Sequence, residues 1–77
     1  MSYLIVTDDA DNNEFINKDK IFKVDIHLKD NCYWISIYSD AKSFITLNIY
    51  FSSFEQASRY VYKKILDEIY PYEPTVI

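Results

Sequence analysis

Seventy-seven residues make room for one domain and not two, and the single cysteine, Cys32, rules out an intrachain disulfide. A formal charge of −4 argues against a general nucleic-acid binder, which carries a basic footprint. The apolar runs fall well short of the roughly 18 residues that span a bilayer, and no signal-peptide pattern precedes Asp8-Asp9, so a cytoplasmic protein with no membrane partner is expected.

In chain order, Ser2 to Thr7 reads as a short strand, apolar and β-branched. Residues 8–19 read as an acidic, polar connection, Asp8-Asp9-Ala10-Asp11-Asn12-Asn13-Glu14, interrupted only by Phe15-Ile16. Lys20 to Lys29 alternates. Phe22, Val24, Ile26 and Leu28 share one face, while Lys23, Asp25, His27 and Lys29 share the other, the period of a half-buried strand.

Cys32 to Ser39 alternates again after Asp30-Asn31, the residue types best able to take positive φ in a chain without glycine. A two-residue turn there pairs Val24 with Ile37, Ile26 with Ile35 and Leu28 with Tyr33, all on the apolar face. A slip of one residue would bury Trp34, Ser36 and Tyr38 instead. The same reasoning selects a three-residue loop, Asp40-Ala41-Lys42, before the strand Phe44 to Phe51. It sets Ile37 against Ile45 and Ile35 against Leu47; a two-residue loop would drive Thr46 and Asn48 inward.

Ser52 and Ser53 are candidate N-caps, with Glu55 or Gln56 three residues on. Helical periodicity then runs to Ile69 or Tyr70, through the stripe Phe54, Ala57, Val61, Ile65 and Ile69, and Pro71 opens an extended tail over 71–77. The expectation is a single α+β domain over 1–77, β-β-β-β-α. Its four-stranded, mainly antiparallel sheet would carry one C-terminal helix packed on one face. On that reading Val61→Asp should unfold it.

Chemistry is narrowed chiefly by what is missing. Phosphate-cradling loops, dinucleotide fingerprints and nucleophile elbows need glycine, and the chain has none. His27, the only histidine, shares a face with Cys32 but is offset from it, and no oxyanion device accompanies the pair. Asp9-x-Asp11-x-Asn13 matches the opening of a calcium loop, yet Glu14 stands where glycine is needed and Lys20 where the bidentate glutamate belongs. One Cys and one His cannot close a zinc tetrahedron. No catalytic residue, metal ligand or cofactor is therefore assigned, and the protein is read as a non-enzyme.

The outward sheet face is the more informative feature. It gathers His27, Trp34, Tyr38, Phe44 and Tyr50 among Lys23, Asp25, Lys29, Ser36, Thr46 and Asn48, with Trp34 expected opposite His27 and Asn48. Aromatics framed by polar groups are typical of contact surfaces, because they cover large areas at low entropic cost. With the acidic residues Asp8, Asp9, Asp11 and Glu14, they are the candidate partner-binding set.

The leading expectation is a small protein-interaction module. Residues with AT-rich codons dominate, as in low-GC bacteria and their phages. In size and composition the chain is broadly similar to anti-CRISPR and other anti-defence proteins, a likeness of category with no motif behind it. Such a protein would block a host defence or nucleic-acid-processing protein, its carboxylates occupying a basic groove. The alternatives are a homo-oligomer, a homodimer for instance, packed through the aromatic face, and single-stranded nucleic-acid binding, which the acidic balance disfavours.

Overall fold

The computed structural model describes residues 3–66. Five strands come first: β1 (Tyr3–Thr7), β2 (Asn13–Asn17), β3 (Lys23–Lys29), β4 (Cys32–Tyr38) and β5 (Phe44–Phe51). The helix α1 (Phe54–Tyr60) follows, continued by a more widely wound segment, Val61–Ile65. The α+β class, the antiparallel pairing and the C-terminal helix are as expected. A single four-stranded sheet is not: β1-β2 forms one sheet and β3-β4-β5 a second.

The difference lies in the acidic stretch. Asn13–Asn17 pairs antiparallel with β1, with Ile5 opposite Phe15 and Leu4 opposite Ile16. Its two apolar side chains suffice because only one face is covered: Leu4, Val6 and Ile16 turn to the core, while Phe15 is 70% exposed. The connection beyond it is a 3₁₀ turn, Lys18–Lys20, capped by the Asn17 side chain, which accepts from the Asp19 amide.

The β3-β4 register is the expected one in all seven pairs, from Lys23↔Tyr38 to Lys29↔Cys32. Asp30 and Asn31 supply consecutive positive φ values of 54° and 62°, the left-handed pair that a two-residue hairpin turn requires. Asn31→Val should lower stability by about 1–2 kcal/mol, because a β-branched side chain resists this region. Asn31→Gly should match or exceed the parent. Denaturant midpoints of the two variants check this.

The β4-β5 turn spans Asp40-Ala41-Lys42, closed by the Ser39 amide on the Ser43 carbonyl. The Asp40 carboxylate accepts from the Lys42 and Ser43 amides, and these bonds, Lys42 first, lower its pKa below the ordinary 3.8. This fully exposed group thus favours the fold above the usual carboxylate range and ceases to do so as pH falls through its own lowered pKa.

Ile37 pairs with Ile45 as expected, but the register shifts between Trp34 and Ser36, so Ile35 faces the irregularity instead of meeting Leu47 in a regular pair. On the far side of β5, the β1-β2 loop attaches at the same level, through an Asp8–Leu47 bridge and the Asp9 amide on the Thr46 carbonyl.

Ser53 caps α1 through a side-chain bond from the Gln56 amide. Ala57, Val61 and Ile65 are buried at strict four-residue intervals. On a helix of 3.6 residues per turn such a stripe drifts by about 40° per step. The wider winding after Tyr60, with the Leu66 amide reaching the Val61 carbonyl, reduces that drift. These three residues, with Ile35, Ile37, Leu47 and Val6, form the core. Phe54, expected in the stripe, instead leans edge-on against Tyr33 and is largely exposed. Phe22 and Leu28, expected on the buried face of the strand over Lys20 to Lys29, are exposed as well: Phe22 precedes β3, and Leu28 lies near the far end of this outer strand. The rest of the expected helix and the 71–77 tail lie outside the described residues. Among the described residues no helix is long and apolar enough to cross a membrane.

Candidate partner-binding face

With the aliphatic side chains of β3-β4-β5 under the helix, the alternate set looks away from it. Two aromatic pairs stand there. Tyr38 stacks on Phe44 at 4.9 Å between ring centroids, and Lys23 holds its Nζ 4.4 Å above the Tyr38 ring. Trp34 lies 5.2 Å from Tyr50 at an interplanar angle of 43°. Between the pairs runs a polar seam in which the Ser36 and Thr46 hydroxyls are 3.0 Å apart. Ser36 is only 2% exposed although it faces outward, so the larger side chains around it close over the floor. Phe44 and Tyr50 remain 53% and 61% exposed. The surface is two aromatic pairs with a covered Ser36–Thr46 hydroxyl contact between them.

Tyr50 and not Asn48 is the residue opposite Trp34, which corrects the expected register. The cause is the irregularity in β5: one β4 residue, Ile35, spans a length for which β5 supplies Leu47, Asn48 and Ile49. The indole N–H of Trp34 donates to the Lys29 carbonyl at 3.2 Å, which fixes the ring against its own hairpin. His27 lies across from Trp34, and Lys29 across from Cys32, a free thiol.

Asn48 has a different partner. Its Nδ2 donates to Asp11 Oδ1 at 2.8 Å, joining segments 37 residues apart. This bond and the Asp9 amide on Thr46 hold the acidic hairpin loop at the β5 rim of the aromatic face. The loop itself is shaped by Asp8. Its nearly buried carboxylate accepts from the Ala10 and Asn12 amides at 3.0 and 2.9 Å, and Asp11 completes the turn at a φ of 63°.

The four acidic candidates therefore divide. Asp9 and Asp11 are exposed at the rim, Asp8 is occupied inside the turn, and Glu14 lies on β2, paired with Val6. Asp8→Ala should lower stability by about 1–3 kcal/mol, since two amides lose their acceptor. It should also speed hydrogen exchange at Ala10 and Asn12, whereas Asp8→Asn, which keeps an acceptor oxygen, should do so less.

Residue-by-residue reading found the aromatic face but not its junction with the loop. The available signal was the turn-forming run Asp8-Asp9-Ala10-Asp11-Asn12 between two short apolar segments, a hairpin pattern masked by its charge. Among the described residues, grooves also flank the core. One of about 590 Å³ lies between β3 and the helix, with Val24, Ile26 and Val61 among its walls. Another of about 320 Å³ lies between β2 and the β4-β5 turn, over Ile16, Ile37 and Ile45. Both mix aliphatic, aromatic and charged side chains, and the second shares Tyr38 and Phe44 with the open face.

No protein-family model matches the chain, nor does any curated protein or solved structure.

Proposed function

We propose that this chain is a non-enzymatic protein-interaction module that meets its partner through the open face of β3-β4-β5 and the hairpin loop on its rim. The observation that carries this reading is the Asn48–Asp11 hydrogen bond, which merges an aromatic surface and an acidic loop into one contiguous patch. Large rings supply contact area with few rotors to freeze, and the carboxylates supply orientation and long-range attraction to a basic surface. A host protein that handles nucleic acid presents such a surface. Inhibition follows if Trp34, Tyr50, Asp9 and Asp11 occupy it in place of phosphate, which is the anti-defence role suggested by composition, acting in the cytoplasm of a bacterial host.

A second copy of the chain is the other occupant that the face fits. Tyr38, Phe44, Trp34 and Tyr50 would pack across a two-fold axis. The outer strand β3 is a poor site for edge-to-edge pairing, since Lys23, Asp25 and Lys29 place charges along it.

Affinity capture from host cells, with parent and Tyr50→Ser baits side by side, tests the proposal. Its expected result is a protein retained by the parent and lost by the variant, with light scattering giving a monomer for the free chain. A concentration-independent dimer that Tyr50→Ser dissociates would replace the module reading with the homo-oligomer. A partner retained equally by both baits would remove the face from either role.

A further inference from the structure

We infer that the group received by the Trp34–Tyr50 end of this face is an arginine side chain of the partner, stacked on the rings with its guanidinium turned toward Asp9 and Asp11. This rests on the protein-contact reading above and names the chemistry of the contact.

Three features converge on it. The same face already receives a cation at its other end, where Lys23 Nζ sits 4.4 Å above the Tyr38 ring, so an outward ring of this sheet presents its π surface to positive charge. At the Trp34–Tyr50 end the rings are larger in sum, Tyr50 is well exposed, and the indole is held in place by its bond to the Lys29 carbonyl. Of the outward carboxylates, Asp25 on β3 is engaged by Lys23 at 3.6 Å, while Asp9 and Asp11 stand on the β5 side. Asp11 is fastened to Asn48, two residues before Tyr50 on the same face of β5, and the Asp9 amide is fastened to Thr46. His27 and Lys29 occupy the β3 side of the indole, so a cation is directed in from β5.

Arginine fits better than lysine because its plane stacks on an aromatic ring while its N–H groups still reach carboxylate oxygens. An ammonium makes one of these contacts at the expense of the other. The bonds from Asn48 to Asp11 and from the Asp9 amide to the Thr46 carbonyl set the loop before any partner arrives, which lowers the ordering cost of binding.

Trp34 is the sole tryptophan, so its fluorescence reports directly on this end of the face. The full chain should be titrated at low salt with hexa-arginine, hexa-lysine and a single-stranded oligothymidylate. The expected result is saturable quenching by hexa-arginine, weakened roughly tenfold or more by Asp9→Asn with Asp11→Asn and, separately, by Tyr50→Leu, which leaves the charge unchanged. Hexa-lysine should respond more weakly. Equal responses to the two peptides, no response to either, an unchanged response in both variants, or quenching by the oligothymidylate would each overturn the inference. Asn is chosen at position 11 because it keeps the acceptor for Asn48 and tolerates positive φ. The two readings separate in the captured complex. A partner lost by Tyr50→Ser but retained by the Asp9→Asn, Asp11→Asn chain leaves the contact face standing and removes the arginine.

Discussion

Ile35→Asp is expected to leave the chain unfolded at neutral pH, with no cooperative thermal transition by circular dichroism. Ile35 is 0% exposed on the central strand β4 and belongs to the cluster that includes Leu47, Ala57 and Ile65. Removing its side chain from such a site costs about 2–5 kcal/mol, and an unpaired carboxylate there adds several more. A domain of this length holds about 4–12 kcal/mol in total. Ile35→Val, at about 0.5–1.5 kcal/mol, is the control that keeps the fold. Val61→Asp should destabilise strongly too, but by less. Val61 borders the groove between β3 and the helix, where Lys18 also lies, and a carboxylate can turn out into that groove. The order Ile35→Asp above Val61→Asp is itself a check on which sheet face lies under the helix.

Trp34→Ala combined with Tyr38→Ala is expected to abolish partner binding, by about a hundredfold or more, while the chain still folds. Each substitution removes one member of an aromatic pair, at about 0.5–1.5 kcal/mol, and Trp34 also gives up its bond to the Lys29 carbonyl, about 1 kcal/mol. The double variant should therefore melt at a lower temperature but with native circular dichroism well below it. Binding measured there by calorimetry isolates the contact. Destabilisation equal to that of Ile35→Asp would mean that the rings belong to the interior of the monomer.

Alternation made the three-stranded sheet legible from sequence. Val24, Ile26, Ile35, Ile37, Ile45 and Leu47 repeat at period two, and a slip of one residue would break up that shared face and turn Trp34 and Tyr38 inward. Asp30-Asn31 was readable for the same reason: in a chain without glycine, few other residue types accept two consecutive left-handed positions. β2 was not readable, because Phe15 and Ile16 sit among Asn13, Glu14 and Asn17, and local composition outweighs two apolar residues. Its strand character comes from pairing with Leu4 and Ile5, a tertiary fact. The irregularity in β5 was hidden as well, since it shifts pairing by two residues and so leaves the alternation intact. That shift is what puts Tyr50 beside Trp34 and frees Asn48 to reach Asp11.

Chemical-shift mapping of the isotope-labelled chain against its captured partner addresses the arrangement most directly. Binding through the composite patch predicts the largest changes at Asp9, Asp11, Trp34, Asn48 and Tyr50, with α1 nearly silent. Changes confined to α1, or to Tyr3, Ile5 and Phe15 on the outer side of the β1-β2 hairpin, with the indole signal unmoved, would contradict it.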